Sequence, residues 1–522
     1  MHSMEAVAES NGFSHILEAV RQKGAKLWSE KGQLRYVAPK GALTESELNE
    51  LRLRKREILT FLEKSGAAKP AATEGKAASA DGSYPLTFSQ LAHWTLHRMG
   101  ERRVFRQIAA AARLQGSLNI EVLQRSLQEI VRRHDALRVR IVVESGTPVQ
   151  TVGPSDDCGL LVDDLTALSK GAREAQVQRL AEEFIFQPID AAKDPLFGLK
   201  LFRLGEHEHV LVLAMQHIIS DMFSTTILLR EALTAYRQIM AGSPPSLPEI
   251  PLQFTSFAKQ QRAEEKEWVE KHSGHWAALC ANAERLRFPA EPGYQSSAKL
   301  RWGTISLRID RDTKAELLEW SRIRQTTLPM TVFTAYAATV FRWCDTRGAV
   351  LRYITDGRMS AEVQNTIGFF ASILYPHLEL HESDTFVELL RRVMREYCLA
   401  YDHADAFYLS TREPQPAFVS NPSFNWVPQG AMADVSSSEG RQEGIACSTK
   451  PLAHVMLKRL EWDQEPGLLL YDTSDAVVGE LYFQENRYSQ MTMQRFVRNF
   501  HMVTDELVRR PNQRVLDIAL CR

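Results

Sequence analysis

The most regular stretch of the chain is a hydrophobic run that ends abruptly in polar residues. Residues 210–215 (VLVLAM) are all apolar, as in a buried strand, and Gln216 and His217 follow immediately. Asp221 comes four residues after His217, and apolar residues then recur at helical spacing from 227 to 236. Aspartate is a favourable N-cap, so the pattern predicts a strand, a short loop and a helix, with an imidazole and a carboxylate at the two ends of the loop. On spacing alone, this His-x-x-x-Asp pair is either a structural pair or a catalytic one.

Helical and strand-like patterns alternate through the rest of the chain. In the first half they predict helices at Leu123–Val131 and Ala175–Phe184 and strands at Val139–Val143 and Val149–Val152. In the second half they predict strands at Thr304–Ile309 and Val350–Ile354 and helices at Thr313–Ile323, Thr331–Trp343, Phe386–Ala400 and Met491–Val508. A proline-rich segment, Ser243–Pro251, separates the halves. We therefore predict an α/β (α+β) protein with two lobes of similar size.

Residues 64–83 (KSGAAKPAATEGKAASADGS) are the clearest boundary, because small and polar residues cannot bury enough surface to fold. They separate a module of residues 1–63 from a body of residues 84–522. In the module, the pattern predicts a helix at Phe13–Lys23, strands at Lys26–Ser29 and Gln33–Val37 joined by a Lys31-Gly32 turn, and a helix at Glu45–Leu62. A fold of about sixty residues is marginal alone, so we expect a partner to stabilise it.

Composition narrows the class of protein. The 522 residues are 44% hydrophobic and 24% charged, as in ordinary globular domains, and the net charge of −1 does not favour nucleic-acid binding. Apolar runs are short, so we predict neither a signal peptide nor a membrane span. The six cysteines are scattered without a C-x-x-C pair, which argues against structural zinc or disulfides and favours a cytoplasmic location.

The N-terminal module resembles a known class of docking domain. The runs LWSEKGQLRYVAPKGALT and LNELRLRKREILTFL are similar to the β-hairpin (TubC-type) docking domains of nonribosomal peptide and polyketide assembly lines. The resemblance implies an α-β-β-α-α fold whose hairpin, with Leu34, Arg35 and Tyr36, pairs with the C-terminal docking motif of an upstream carrier protein. Arg52 and Lys55 belong to a basic cluster that either complements acidic residues of that partner or is simply a solvated helix face.

The body resembles the condensation domains of nonribosomal peptide synthetases in several ordered runs. They are YPLTFSQLAHWTLHRM (84–99), RHDALRVRI (133–141), QHIISDM (216–222), IPLQFTSFAKQQR (250–262), TDGRMS and NTIGFFASILYPHLEL (355–380), YDHADAFYL (401–409) and NPSFNWVP (421–428). The resemblance implies two chloramphenicol-acetyltransferase-like lobes in a V, an N-lobe at about 84–248 and a C-lobe at about 249–522. It also implies a tunnel that admits two substrates from opposite faces.

The same resemblance assigns roles to the residues of the His-x-x-x-Asp run. His217 occupies the place of the histidine that assists proton removal, and we expect Asp221 to be structural and to pair with a buried arginine. Arg358, in the TDGR run, is the first candidate partner and Arg138 the second. Asn425, in the FNW run, is either a tunnel residue near His217 or an ordinary strand residue.

The chain departs from the family pattern His-His-x-x-x-Asp-Gly at two positions. Gln216 replaces the first histidine, and it can form hydrogen bonds but cannot take up a proton. Met222 replaces the glycine and adds bulk beside the tunnel. These two departures leave open a second interpretation, in which the body is catalytically silent.

The resemblance therefore predicts an acyltransferase that condenses a carrier-bound acyl thioester with a hydroxyl or amine. The acyl chain would arrive on the phosphopantetheine arm of the partner, with no permanently bound cofactor or metal, and the acceptor would be a free small molecule or carrier-bound. No adenylation or carrier domain follows in this sequence, which is expected of a piece of a larger synthetase or of a free-standing enzyme similar to the one that releases the enacyloxin polyketide as an ester.

Three alternatives remain open on the sequence alone. One is a silent docking and recruitment module. Another is an epimerase, which the N-terminal docking module argues against. The last is a coenzyme A-dependent acyltransferase, which the absence of a DFGWG-like run in the C-terminal half of the sequence disfavours.

Overall fold

The computed structural model describes most of the body and a small part of the N-terminal module. The described residues are 26–30, 33–37, 51, 55, 82–97, 99, 104, 107–155, 159–289, 301–358, 360–404, 416–428, 446–451 and 463–521. Of the predicted elements, the helix at Phe13–Lys23, most of the helix at Glu45–Leu62 and most of the linker lie outside them. Residues 51 and 55 are helical, which agrees with the second of these helices.

The predicted hairpin of the module is confirmed. Strands β1 (Lys26–Glu30) and β2 (Gln33–Val37) pair antiparallel, with Lys26 opposite Val37 and Glu30 opposite Gln33. Leu34 is partly buried and Lys55 is exposed. Arg52 lies outside the described residues.

The first half of the body contains strands of two sheets, with helices packed against them. Its strands are β3 (Ser83–Pro85), β4 (Ile108–Gln115), β5 (Val139–Glu144), β6 (Thr147–Val152), β7 (Leu160–Asp164), β8 (Phe197–Arg203) and β9 (Glu208–Met215). Strands β3, β6 and β5 form a three-stranded sheet, and β4, β9, β8 and β7 belong to a second sheet. Its helices are α1 (Phe88–Leu96), α2 (Ile120–Arg133), α3 (Lys170–Ile185) and α4 (Met222–Met240). Helices α2 and α4 bury their apolar faces in one core with β4, β8 and β9.

The second half repeats this organisation around a larger sheet. The helices are α5 (Phe254–Ala263), α6 (Glu265–Asn282), α7 (Arg311–Ile323), α8 (Leu328–Cys344), α9 (Phe386–Asp402) and α10 (Gln490–Arg509). The strands are β10 (Trp302–Ile309), β11 (Gly348–Val350), β12 (Arg352–Thr355), β13 (Ser372–Leu374), β14 (His377–Glu379), β15 (Ser423–Val427), β16 (Ala446–Pro451), β17 (Gly467–Asp472) and β18 (Val477–Gln484). Helix α8 is apolar on nearly every face because it lies at the centre of this core.

Sheet order shows how the two halves are joined. In the described part of the chain, one sheet runs β10-β18-β17-β15-β12-β13 and another runs β16-β4-β9-β8-β7. Strand β16 comes late in the sequence, yet it pairs with β4 of the first half, with Ala446 opposite Gln115. The second half therefore contributes a strand to the sheet that contains β9, the strand immediately before Gln216.

The α/β class predicted from the sequence is confirmed, and so are most of the predicted helices and strands. Strand β4 was not predicted, since its IAAAARLQ sequence favours a helix until β9 and β16 provide ladder partners on both sides. The single strand predicted at Val350–Ile354 is wrong, because β11 and β12 belong to different sheets. Leu351, between them, is fully buried, and its backbone N–H donates a hydrogen bond to the carbonyl of Pro376.

Candidate functional site

The centre of the site is the turn between β9 and α4, which the sequence pattern singled out. Asp221 is the N-cap of α4: its carboxylate accepts hydrogen bonds from the backbone N–H of Ser224 (2.8 Å) and from the Ser224 hydroxyl (2.8 Å). It is 3% exposed. A buried carboxylate at a helix N-terminus is stabilised by the helix dipole, so Asp221 holds both the helix start and the preceding turn.

Arg358 crosses from the second half of the body to neutralise Asp221. Its Nη2 donates to both carboxylate oxygens, at 3.0 and 3.2 Å, and its Nη1 donates to the carbonyls of Val363 (2.9 Å) and Thr366 (2.8 Å). The arginine is buried. Of the two candidate partners, the structure therefore brings Arg358 to Asp221. Arg138, the last residue of the 3-10 helix before β5, instead donates to the carbonyl of Gly153 (2.7 Å).

The backbone conformation of Gly357 allows Arg358 to reach this position. Its φ of 64° lies in the left-handed region, and a Cβ there would stand 1.8 Å from the carbonyl oxygen of Phe370. No other residue fits without moving the segment that follows.

The segment 367–370 is fastened to the first half of the body by its backbone. It carries Phe369, whose ring centroid is 4.3 Å from that of His217 at a tilt of 43°. The segment belongs to a run that resembles a family motif, but nothing in that run assigns Phe369 a role. The backbone contacts are Ile367 N–H to His134 Nδ1 (3.3 Å), Gly368 N–H to Ser224 Oγ (3.1 Å) and Phe370 N–H to Asp221 Oδ2 (3.2 Å).

His217 is held in one tautomer. Its Nδ1 is 2.7 Å from the carbonyl oxygen of Ser220, which can only accept, so Nδ1 carries the proton and Nε2 keeps a lone pair. Burial lowers the pKa of His217 below its ordinary 6.5, although the bond to Ser220 and the Asp221 carboxylate act in the opposite direction. The residue as a whole is partly exposed. A neutral imidazole with a lone pair on Nε2 is suited to accept a proton at neutral pH.

Gln216 is buried and its amide has polar partners on each side. The oxygen accepts from the backbone N–H of Ile218, and the nitrogen lies 3.3 Å from Gln107 Oε1 and 3.3 Å from His93 Nε2. His93, on α1, was not predicted as a site residue. Its ring is 5.5 Å from that of His217, and the helical pattern of the first motif, which turns position 93 inward, was the available signal.

Met222 and Asn425 border the same region. Met222 is the first residue of α4 and is partly buried. Asn425 lies on β15 between Ile354 and Leu469 of the neighbouring strands. The alternation of β15 puts Asn425 on the face opposite the buried Phe424. Val427 and Tyr471 lie on the same face as Asn425, and both Leu469 and Phe223 of α4 pack against them. Asn425 is thus on the sheet face that meets α4, without a hydrogen bond to His217.

Neither a metal cluster nor a membrane span is present among the described residues. In that part of the chain, no group of three or more His, Cys, Asp or Glu side chains is arranged to hold a metal ion. No helix among these residues is long and apolar enough to cross a membrane.

Comparison with known families decides what this architecture is. The sequence matches the Condensation domain family over residues 80–522. The chain belongs to the condensation-domain family. Residues 14–64 match the TubC N-terminal docking domain family, so this condensation domain follows a docking domain of the predicted type.

The curated relatives are nonribosomal peptide synthetases. The condensation-domain chain is 27% identical over 484 residues to a component of the linear gramicidin synthase of Brevibacillus parabrevis, covering 89% of the chain and 9% of that protein. It is 28% identical over 438 residues to chondramide synthase cmdD of Chondromyces crocatus, covering 84% of the chain and 11% of that protein. The chain thus spans about a tenth of the length of these relatives. Condensation domains of such synthetases catalyse amide-bond formation.

Solved structures share the fold. The EpoB NRPS cyclization-docking bidomain from Sorangium cellulosum superimposes with a TM-score of 0.67 at 20% identity, covering 98% of this chain and 99% of that one. The X-domain in complex with OxyB from teicoplanin biosynthesis gives a TM-score of 0.68 at 23% identity, covering 87% and 99%. At these identities the similarity establishes the fold alone.

Proposed function

We propose that the protein transfers an acyl chain from the phosphopantetheine thioester of a partner carrier protein to a hydroxyl or amine nucleophile, forming an ester or amide. The observation that carries the proposal is the tautomer of His217. Its Nδ1 proton is committed to Ser220, and its Nε2 lone pair is left to accept a proton. We place the reaction in the cytoplasm, as expected from the scattered cysteines.

The proposed step is a direct transfer. The nucleophile attacks the thioester carbonyl and its proton passes to Nε2 of His217; the C–S bond then breaks and the proton goes to the departing thiolate. Acid–base assistance of this kind contributes about 10²- to 10⁴-fold in rate, and holding both substrates together contributes further. Asp221 and Arg358 support the turn without touching the substrates, and Asn425 and Met222 are proposed to border the acceptor.

The test is an unloading assay. An acyl group is loaded onto the upstream carrier protein, this enzyme is added with candidate alcohols and amines, and intact-protein mass spectrometry follows loss of the acyl group. We expect nucleophile-dependent unloading, a loss of at least about 10²-fold in His217→Ala, and no change in the control His377→Ala, which removes an exposed imidazole. Equal rates for His217→Ala and the unaltered protein would refute the role of His217.

Docking to the carrier protein is the second part of the proposal. We propose that the outer edge of the β1-β2 hairpin, with Leu34, Arg35 and Tyr36, takes up an extended segment of the partner, and that Arg52 and Lys55 attract its acidic residues. Lys55→Glu should weaken binding of the carrier and raise its KM without changing kcat, whereas Lys193→Glu, on the exposed surface of the body, should change neither. Equal effects of the two variants would contradict this docking mode.

A catalytically silent recruitment module is the second candidate function. It is favoured by Gln216 in place of the first histidine and by the similarity to an X-domain whose structure is a complex with OxyB. Under this alternative the carrier protein binds, but no free or carrier-bound nucleophile unloads it.

A further inference from the structure

A buried polar network outside the expected motif reaches the His217 turn from α1. Gln216 is 1% exposed, so its amide group has no access to bulk water. Its oxygen faces the backbone N–H of Ile218, which can only donate, and this fixes which end of the amide is oxygen. The nitrogen must then face Gln107 and His93, and each of them has to accept a hydrogen bond.

The contact with Gln216 dictates the state of His93. Because Nε2 of His93 lies 3.3 Å from an amide N–H group, it must present a lone pair, so the ring is neutral and carries its proton on Nδ1. We propose that His93 is a positioning residue for acyl transfer: as a neutral acceptor it holds the Gln216 amide in the orientation that fastens the turn carrying His217. This inference rests on the proposed acyltransferase function.

Hydrogen bonds within the turn connect Gln216 to the catalytic imidazole. The Gln216 side chain accepts from Ile218 N–H, and its backbone carbonyl accepts from Ser220 Oγ (3.0 Å). The carbonyl of Ser220 in turn accepts the Nδ1 proton of His217. Reversing the Gln216 amide would set its NH₂ against the N–H of Ile218, so two buried donors would face each other inside the turn.

The surroundings of His93 keep it uncharged. The groups that face its ring are His97 on the same helix (centroids 4.1 Å), His217 (5.5 Å), the apolar ring of Phe369 (5.9 Å) and the neutral amides of Gln107 and Gln216. Burial, and then the neighbouring His97 and His217, lower the pKa of His93 well below 6.5, while a hydrogen bond with Gln107 acts in the opposite direction. Positions 93 and 216 are therefore coupled, since a glutamine at 216 requires an acceptor at 93.

The kinetic test is a double-variant cycle in the full-length protein, using the carrier-bound acyl group and the nucleophile found in the unloading assay. His93→Leu removes the acceptor and should lower kcat by on the order of 10²-fold with KM for the carrier unchanged. His93→Gln, which retains an acceptor oxygen, should restore most of kcat. Combining His93→Leu with Gln216→Met should cost no more than the larger single effect. The proposal would be overturned if the fold-losses in kcat of the two single variants multiplied in the double variant, or if His93→Leu left kcat unchanged.

A spectroscopic test does not depend on activity. In protein with ¹⁵N-labelled histidine, the His93 signals should report a neutral ring protonated on Nδ1 from pH 8 to 5. Gln216→Glu sets a carboxylate against Nε2, so His93 should then titrate at a higher pH than in the unaltered protein. If its titration is the same in both proteins, the inferred contact is absent. If the contact is present but no nucleophile unloads the carrier, the proposed function fails instead.

Discussion

The ion pair between Asp221 and Arg358 provides the sharpest test of how the site is built. Asp221→Asn keeps the shape of the side chain but removes its charge. Arg358 would then be a buried cation without a counterion, and the new amide NH₂ would face at least one of the donors that now point at the carboxylate. We expect the variant to be less stable and less active.

The magnitude follows from burial. Asp221 is 3% and Arg358 5% exposed, so water can replace little of the lost interaction. Removing one partner of such a buried pair costs about 3–5 kcal/mol, mostly because the remaining charge is uncompensated. Arg358→Met alone should cost a similar amount. The double variant removes both charges, so its cost should fall short of the sum of the single costs by about 2–3 kcal/mol.

Urea unfolding followed by tryptophan fluorescence measures these free energies, and hydrogen exchange at residues 363–370 shows whether the segment over His217 opens first. The control is Asp164→Asn, which removes one member of an exposed pair with Arg203 and should change little. Strict additivity of the two single variants would refute the reasoning, because it would mean that Asp221 and Arg358 do not depend on each other.

Two further predictions concern a glycine and a histidine cluster. Gly357→Ala should destabilise the protein by more than about 1 kcal/mol, because its positive φ and the Phe370 carbonyl leave no room for a Cβ, whereas Gly205→Ala has open space and should not; equal melting temperatures would contradict this. Burial and the adjacent His403, whose ring stacks on it at 3.8 Å, lower the pKa of His275 to about 4, so the folded state resists its protonation. Its stabilising contribution is complete above pH 6.5 and is lost as pH falls towards 4. Unfolding midpoints should therefore fall less over this range in His275→Gln than in the unaltered protein.

Much of the local structure followed from the sequence by itself. The apolar run 210–215 and the helical spacing after Asp221 predicted β9, the turn and α4, because an apolar run, helical spacing and an N-cap are each visible within a few residues. The local sequence pattern did not predict the secondary structure where pairing with distant strands determines it. The alanine-rich β4 is a strand because β9 and β16 supply ladder bonds on both edges, and β16 comes more than 300 residues later in the chain.

The site, like the fold, was predicted from the sequence only in part. The resemblance to condensation domains implied a base at position 217, a structural carboxylate at 221 and an arginine as its partner, but the sequence could not choose between Arg358 and Arg138, which lie on either side of the motif. That choice depended on the left-handed turn at Gly357, which directs Arg358 into the other half of the body. The contacts of His93 with Gln216 and of Phe369 with His217 join segments more than 100 residues apart. Only tertiary packing creates such contacts, since a residue type specifies what a side chain can bind, and the fold decides what it meets.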